Sequence, residues 1–392
     1  MNKESQVDKM DQEEVLSMHA AHHGVLDIES QFDIKSREDL GKAYTPGVAV
    51  ISKLIEKYPE LKNKYTLSGK LVAMVTDGSA VLGLGNIGPA GGLPIVEGKA
   101  LIYKDLAGVN AIPITVDQVS VDEFVTTLKN ISQSYAGFHL EDIAAPRCFE
   151  IEEKLKQVVD IPVYHDDQEG TAIVVLAALI NAAKVIGKPV QDLKIVLNGL
   201  GASGVATAKL LLEYGLKDLI AFDIDGQVLP DSANYNHYQR AIAAASDNHE
   251  TFSSLSAALV DRDVFIGLSD ADVLTGTDVQ AMADQPIVLA LANPKPEIDP
   301  AVAHQAGVAV MATGSSQYPN QVNNILAFPG LYKGLLATDL HQVDAGLEIR
   351  IAEALATMIT TPTADRIIPG VFDDGVVETV SQAVIDYAAE MN

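Results

Sequence analysis

The chain has 392 residues, of which 48% are hydrophobic, and a formal net charge of −26. This length suffices for two domains with sizeable cores, and the charge argues against nucleic acid or an anionic membrane surface as partner, because both are polyanions. The single cysteine, Cys148, excludes an intrachain disulfide and a thiolate metal cluster. The charged start lacks the apolar core of a signal peptide, and the longest apolar run, 172–183, is shorter than the ~20 residues that cross a bilayer. We therefore expect a cytoplasmic protein.

Between about residues 25 and 160 the sequence alternates short apolar runs with helical stretches. The runs at 71–75 and 109–115 predict strands, and 121–135 predicts a helix. We interpret this half as a first α/β domain that ends near residue 165. Because no Pro/Gly/Ser-rich linker marks that boundary, we expect a rigid connection to the next domain and a cleft between the two.

Two polar clusters in this half stand out against apolar surroundings. The hexapeptide 44–49 reads Tyr-Thr-Pro-Gly-Val-Ala, and a glycine-rich segment at 76–92 follows a predicted strand. Glycines at this density let a backbone or a substrate approach closely. The alternative is a flexible surface loop, but the interleaved Val81, Leu82 and Leu84 argue against it.

A lysine and two pairs of acids are the charged candidates for chemistry. Lys99 lies in a mostly apolar stretch, and a lysine withdrawn from water loses basicity, as a general base near neutral pH must. Glu141-Asp142 and Asp166-Asp167 are expected at element ends that face the cleft. Converging carboxylates repel unless a cation lies between them, and hard oxygen ligands favour Mg²⁺ or Mn²⁺. Solvated acids are the alternative, and the commoner case in a chain with 53 acidic residues.

The second half has the pattern of a parallel sheet covered by helices on both faces. A long apolar helix begins near residue 171, and fully apolar strand segments separated by helices follow it, at 195–197, 219–222, 264–268, 287–291 and 308–311. This pattern predicts a Rossmann-like, doubly wound sheet. A last helix, at 375–390, is expected to pack back on the first domain. The predicted organisation is thus 1–165, 166–370 and a C-terminal helical segment at 371–392.

The turn after the first of these strands predicts a dinucleotide site. Its glycines have the spacing G-x-G-x-x-G between a strand and a predicted helix, so the backbone can approach a pyrophosphate at the positive end of that helix. The candidate phosphate-binding residues are Gly199, Gly201, Ala202, Ser203 and Gly204. The next strand ends at Asp223, whose carboxylate accepts hydrogen bonds from ribose hydroxyls and repels a 2′-phosphate. Since no Arg or Lys lies at 224–229, NAD is predicted over NADP. A tight structural turn is the alternative.

Three asparagines follow strands of this sheet or lie nearby. Asn293 comes directly after the segment 287–291, and Asn323 and Asn324 close a polar stretch at 319–324. Carboxamides at the carboxyl ends of parallel strands can hydrogen-bond a cofactor or a substrate in the crevice there. Taken alone, they could equally be turn formers.

Together these segments resemble the malic enzymes of the short bacterial type, from about residue 24 to residue 328. The matching segments are 44–49, 76–92 with 97–100, 141–143, 165–172, 199–204, 293–294 and 323–324. The resemblance implies a divalent-metal- and NAD-dependent oxidative decarboxylation of L-malate to pyruvate and CO2, with oxaloacetate as intermediate. It also implies a homodimer or a higher homo-oligomer.

The resemblance also implies roles for individual residues. Tyr44 is similar to the general acid of the family and Lys99 to its general base, with Asp166 as a neighbour that tunes the lysine. The remaining assignments are Glu141, Asp142 and Asp167 for Mg²⁺ or Mn²⁺, Asn293 with Asp223 and the glycine loop for NAD, and Asn323 and Asn324 for malate.

One departure from the family pattern and two other functions stay open. The larger animal-type malic enzymes carry an arginine where this chain has Ala80, so another group must hold a carboxylate of the substrate: N–H groups of the glycine segment, Asn324 or a partner subunit. One other function is a non-oxidative malate-to-lactate decarboxylase with tightly held NAD, which accumulation of free NADH would exclude. The other is a non-catalytic NAD-binding regulator on the same fold. We would expect such a regulator to lack Tyr44, Lys99 or the acids, and all are present.

Overall fold

The computed structural model describes residues 12–391, so the first eleven residues of the charged start lie outside it. Within the described range, the strands are β1 (Leu71–Thr76), β2 (Asn110–Thr115), β3 (Gly137–Glu141), β4 (Val163–His165), β5 (Lys194–Asn198), β6 (Asp218–Asp223), β7 (Gly226–Gln227), β8 (Val264–Gly267), β9 (Ile287–Ala290) and β10 (Val310–Thr313). The α-helices are α1 (Gln12–His22), α2 (Arg37–Ala43), α3 (Gly47–Lys57), α4 (Lys62–Tyr65), α5 (Gly88–Ala107), α6 (Val121–Ile131), α7 (Arg147–Val158), α8 (Thr171–Ile186), α9 (Ala202–Glu213), α10 (His237–Ala245), α11 (Leu255–Ala258), α12 (Gly276–Ala281), α13 (Pro300–Gln305), α14 (Phe328–Leu335), α15 (Ala345–Thr357) and α16 (Val376–Met391).

The first sheet has four parallel strands in the order β2-β1-β3-β4. β1 and β3 are buried along their whole length. Residues 71–75 of β1 are accordingly all apolar rather than alternating, whereas β3 carries the buried His139 and Glu141. The chain leaves β1 toward β2 and then crosses back to β3, so the strand order reverses between β1 and β3. In open parallel sheets a crevice forms beyond the carboxyl ends of the strands at such a point. Asp77 follows β1 there, and Glu141 ends β3.

The second sheet has six strands in the order β10-β9-β8-β5-β6-β7. All neighbours are parallel except β7, a two-residue strand that pairs antiparallel with β6. The order reverses between β5 and β8, which is the doubly wound topology of dinucleotide-binding domains. The predicted α/β fold is therefore confirmed. The last strand begins at Val310 rather than at 308, because Gly307 turns the chain with φ +96° after α13.

A continuous helical element connects the two sheets. β4 ends at His165, one π-helical turn follows at Asp166–Gly170, and α8 continues directly from it. Residues 172–183 are all buried. The combined segment Asp166–Ile186 is long and apolar enough to cross a membrane, but 78% of its most apolar window is buried inside the protein, as in a core helix. The connection between the two halves is thus a continuous helical segment.

The C-terminal helix packs back on the protein through α14. Its main neighbours are α14 and α15, and glycines of α14 make the close approach possible, since a β-carbon at Gly330 would lie only 2.5 Å from Cβ of Val380. α14 in turn contacts α5, and the hydroxyl of Tyr332 donates to the carbonyl of Phe138 on β3 at 2.6 Å. The predicted packing on the first domain is therefore made with α14 in between.

The segment before the first sheet differs from the rest of the chain. We call residues 12–67, with α1 to α4, the N-terminal arm; none of them is buried. Large apolar side chains such as Ile28, Phe32 and Val50 are exposed on it. One attachment is the backbone N–H of Val25, which donates to Glu97 Oε1 at 2.6 Å. A single chain therefore leaves a large apolar surface uncovered.

Candidate active site

The candidate residues surround a cleft between the two sheets. The glycine segment after β1 reaches the turn after β9, because a β-carbon at Gly83 would lie 3.7 Å from Cδ of Pro294. The π-helical turn Asp166–Gly170 contacts both β3 of the first sheet and α9 of the second. Side chains from both halves of the chain can therefore act on one molecule bound in the cleft.

The glycine segment is held in place by tight turns. Gly78 has φ +62°, and a β-carbon there would lie 2.1 Å from the carbonyl oxygen of Gly88, so only glycine fits. The N–H of Ala80 donates to the carbonyl of Asp142 at 3.0 Å, which ties this segment to the acidic loop after β3. The expectation that its apolar residues are packed holds for Val81 and is wrong for Leu82 and Leu84, which are exposed in the single chain.

Lys99 lies on α5 with its ammonium group between two carboxylates. Nζ donates to Glu141 Oε2 at 2.6 Å and also to Asp166 Oδ2, and it lies 5.2 Å from the ring centroid of Phe328. Burial lowers the pKa of this lysine, as the sequence suggested, but the charges of Asp166 and Glu141 outweigh burial and raise the pKa above its usual value. The expected loss of basicity is therefore wrong for this arrangement, because an apolar sequence window does not show which charges the fold brings near.

Three carboxylates converge beside the lysine. Ligand atoms of Glu141, Asp142 and Asp167 lie within 4.8 Å of one another, and the N–H of Asp142 donates to Asp167 Oδ2 at 2.8 Å. Glu141 and Asp142 are only 3% and 4% exposed, so they are not solvated acids. Oδ2 of Asp142 is buried without a hydrogen-bond partner among the described residues. Clustered carboxylates with an unpaired buried oxygen fit a hard divalent cation such as Mg²⁺ or Mn²⁺.

The protonation of these acids follows from burial and from one histidine. Burial raises the pKa of Glu141 and of Asp142 to about 8. Burial also acts on Asp167, but the hydrogen bond and the charge of His165 outweigh it and hold the pKa of Asp167 at about 2. His165 Nε2 lies 3.2 Å from Asp167 Oδ2, and the side-chain amide of Gln168 reaches Nδ1 at 2.6 Å. His165 therefore orients Asp167.

Two further side chains orient the acids and were not among our candidates. The hydroxyl of Tyr164 donates to Asp166 Oδ1 at 2.6 Å, and His139 Nε2 lies 2.9 Å from Glu141 Oε2. Each stands two residues before its acid. His139 and Glu141 both lie on β3, where residues two apart point to the same face, whereas Asp166 begins the turn just after the strand of Tyr164. The spacing of two residues before an acid is the feature of the sequence that could have indicated both side chains. Burial lowers the pKa of His139 to about 3, so this imidazole is neutral.

The glycine loop after β5 has the geometry of a phosphate site. Gly199 has φ +101°, and a β-carbon on Gly204 would lie 1.8 Å from the carbonyl oxygen of Gly199, so both positions require glycine. A β-carbon on Gly201 would meet nothing within 4 Å, which leaves open space where the loop faces the cleft. Ala202 and Ser203 begin α9, so their N–H groups point toward that space.

The polar residues expected around the cofactor and the substrate lie at the carboxyl edge of the second sheet. Asp223 ends β6. Asn293 lies shortly after β9, and its peptide bond to Pro294 is cis. The side-chain oxygen of Asn323 accepts a hydrogen bond from the N–H of Ile325 at 2.9 Å. Asn323 therefore caps a turn, which is the turn-forming role that the sequence left open for these asparagines. Asn324 begins the next 3₁₀ turn, which contacts the Asp166–Gly170 turn.

Tyr44 is the predicted site residue that the single chain does not bring to the others. It lies between α2 and α3 on the N-terminal arm and is 66% exposed. Among the described contacts, none joins its side chain to Lys99 or to the three carboxylates. The predicted base and the predicted metal ligands thus lie together within one chain, whereas the predicted acid lies apart from them.

Comparison with known proteins identifies the family of this fold. The profile of the malic enzyme N-terminal domain matches residues 27–120, and that of the malic enzyme NAD binding domain matches residues 168–389. The chain is 45% identical to the bifunctional malic/malolactic enzyme of Bacillus subtilis (strain 168), over 96% of this chain and 93% of that enzyme. It is 44% identical to the NAD-dependent malic enzyme of Geobacillus stearothermophilus, over 93% of this chain and 77% of that enzyme.

Solved structures agree with these relatives. The NAD-dependent malic enzyme of Thermotoga maritima superimposes with a TM-score of 0.91 at 40% identity, covering 94% of this chain and 98% of that one. The malic enzyme of Pyrococcus horikoshii gives a TM-score of 0.94 at 38% identity, covering 97% and 91%. Since both family profiles match and the relatives align over nearly the whole chain, this protein belongs to the malic enzyme family.

Proposed function

We propose that this protein is an NAD-dependent malic enzyme, which oxidatively decarboxylates L-malate to pyruvate and CO2 with a divalent cation. The observation that carries the proposal is the position of Lys99 Nζ, bonded to Glu141 and Asp166 at the edge of the cluster of Glu141, Asp142 and Asp167. A base beside a three-carboxylate cation site, facing a dinucleotide loop across one cleft, suits abstraction of a hydroxyl proton coupled to hydride transfer.

Each step can be assigned to residues of this chain. A divalent cation held by Glu141, Asp142 and Asp167 would supply Lewis-acid polarisation of the substrate oxygens. Lys99 takes the proton of the malate C2 hydroxyl while hydride leaves C2, which gives oxaloacetate. The charges of Glu141 and Asp166 raise the pKa of this lysine. If Glu141 binds the cation, Asp166 remains as the main group that stabilises the ammonium form. The pKa of Lys99 then falls toward that of a usable base. After CO2 leaves, Tyr44 protonates C3 of enolpyruvate.

NAD is the proposed cofactor, with Asp223 as the group that recognises its ribose. The carboxylate stands at the end of β6, next to the loop Gly199–Gly204. Its charge favours free ribose hydroxyls and disfavours a 2′-phosphate. Asn293 lies on the same edge of the sheet, where the nicotinamide half of the cofactor would be bound.

We further propose a homodimer whose second subunit supplies Tyr44. This tyrosine is exposed on an arm without a buried residue, and the arm carries apolar side chains such as Phe32 and Val50. Such a surface is typical of an obligate contact between copies of one chain. With Tyr44 of the partner subunit above Lys99, each site has both a base and an acid. We place the enzyme in the cytoplasm.

A second function has one observation in its favour, namely the name of the Bacillus subtilis relative, which includes a malolactic activity. One assay separates the two functions: purified protein with L-malate, NAD and Mn²⁺, with NADH followed at 340 nm and products identified by chromatography. Stoichiometric NADH and pyruvate are expected. Lactate without free NADH would establish the malolactic reaction instead, and no turnover in either form would refute the proposal.

The shared site is tested by mixing Tyr44→Phe and Lys99→Ala, two variants that should each form little pyruvate from malate, with pyruvate formation as the measured activity. If each site combines residues of two subunits, a hybrid dimer has one intact site, so random mixing restores roughly a quarter of wild-type activity. If both residues act within one subunit, mixing restores nothing. Tyr58→Phe, also exposed on the arm, serves as the matched control and should keep full activity by itself.

A further inference from the structure

The side chain of Gln239, on α10, joins the two parts of the dinucleotide site. Its Nε2 donates to Asp223 Oδ2 at 2.7 Å and to the carbonyl of Leu200, inside the glycine loop, at 3.1 Å. The residue is buried. The carboxylate proposed to bind the ribose and the loop proposed to bind the phosphates are therefore linked by one amide group.

The same amide is itself fixed by the start of its helix. The N–H of Asn236 donates to Gln239 Oε1 at 3.1 Å, and the N–H of Gln239 donates back to Asn236 Oδ1 at the same distance. This is a reciprocal capping box. With its oxygen held by the cap, the amide has one orientation, in which Nε2 must point toward Asp223 and Leu200.

We propose that Gln239 is a positioning residue that fixes the carboxylate of Asp223 and thereby sets the preference for NAD over NADP. The inference rests on the proposed function. A free aspartate at the end of a strand could rotate its carboxylate away from a 2′-phosphate. Anchored through Oδ2, Asp223 keeps its charge at the ribose, with Oδ1 available to the hydroxyls. Discrimination thus depends on a buried residue that lies outside the glycine motif and 16 positions after the aspartate.

Two substitutions separate this role from capping of α10. Gln239→Met keeps an unbranched side chain but removes the donor, so the KM for NAD should rise on the order of tenfold, as expected for a lost hydrogen bond to a charged group. The ratio of kcat/KM for NAD to that for NADP should fall by a similar factor. Gln239→Glu retains the oxygen that accepts from Asn236, and hence the cap, but places a carboxylate against Asp223. Its KM for NAD should rise at least as far.

The kcat at saturating NAD and the KM for malate should stay within about twofold in both variants, because neither change touches the reacting atoms. Tyr238→Phe is the matched control on the same helix: its hydroxyl donates to Glu153 of α7, at 3.0 Å, rather than to the cofactor site. It should leave the cofactor preference unchanged. Should Gln239→Met fail to fold, Gln239→Glu decides alone.

A wild-type KM for NAD and an unchanged cofactor ratio in the folded Gln239 variants would overturn the inference. That outcome leaves the proposed function intact, since it requires wild-type protein that oxidises malate. A wild-type protein without malate oxidation would instead refute the proposed function, and direct titration with NAD and NADP would then test Gln239 by affinity alone.

Discussion

Replacing Lys99 with alanine separates oxidation of malate from decarboxylation of oxaloacetate. The substitution removes the amine that contacts both Glu141 Oε2 and Asp166 Oδ2. A positioned base contributes a factor of about 10² to 10⁴, so malate-dependent NADH formation should fall by that factor. Oxaloacetate already carries the C2 carbonyl and needs no such base, so its decarboxylation should lose far less.

The structure also predicts a cost in stability for this variant. Glu141 and Asp166 are buried, and removal of the ammonium group takes away the ion-pair partner that they share, a change of the kind that costs about 3–5 kcal/mol. The metal-free variant should therefore melt at a lower temperature than wild type, and Mn²⁺ should recover part of the difference. Scanning calorimetry with and without metal measures both effects.

Both partial reactions are followed with one preparation of enzyme. Malate oxidation is measured by the absorbance of NADH, and oxaloacetate decarboxylation is measured by enzymatic reduction of the pyruvate that it forms. Lys104→Ala is the control, because this lysine lies on the same helix but is exposed, and its Nζ donates to Asn110 Oδ1 at 2.9 Å rather than to the acids of the site. A Lys99→Ala enzyme that oxidises malate at nearly the wild-type rate would refute the assignment of the base. Equal loss of both reactions would show that the cation site, rather than the base, had been damaged.

Four more predictions follow from the site. Excess chelator should abolish malate oxidation. Asp142→Ala should be as inactive as the chelated enzyme while its circular dichroism spectrum stays that of the folded protein. Malate oxidation that persists in chelator would contradict the cation site. Since burial raises the pKa of Glu141 and Asp142 to about 8, protons compete with the cation below that pH. The affinity for Mn²⁺ in titration calorimetry should therefore increase as the pH rises toward about 8, and a flat profile would count against these ligands. Asp223→Ala, combined with a nearby arginine, should move the preference toward NADP; a kcat/KM ratio that still favours NAD as strongly would exclude Asp223 as the selector. Tyr44→Phe should transfer hydride but release or retain enolpyruvate, and rapid formation of pyruvate from added enolpyruvate would exclude the tyrosine as the acid.

The fold could be predicted from the sequence because its strands are buried on both faces. Segments such as β8 and β9 are apolar throughout, and their lengths and flanking turns distinguish them from helices. The glycine loop was also readable, since Gly199 and Gly204 occupy positions where a β-carbon would collide with backbone. In both cases the signal is local in the chain, so a single sequence contains it.

Features that depend on contacts between distant segments could not be predicted in this way. The pKa of Lys99 depends on Glu141 and Asp166, which are 42 and 67 positions away. Gln239 gave no signal of its own, because its importance comes from where α10 is placed against Asp223. The exposed Leu82 shows the same limit, since apolar composition predicts burial without saying whether this chain or another provides the cover.

The N-terminal arm has a consequence for how the enzyme must be measured. If Tyr44 reaches a complete site only through association, the fraction of working sites obeys mass action, and specific activity becomes a function of protein concentration. Dilution below the dissociation constant of the dimer would then inactivate the enzyme although each subunit stays folded. In a cell, doubling the concentration of the dilute protein would more than double the concentration of its active dimer. The flux through the enzyme would therefore rise more steeply than the amount of protein.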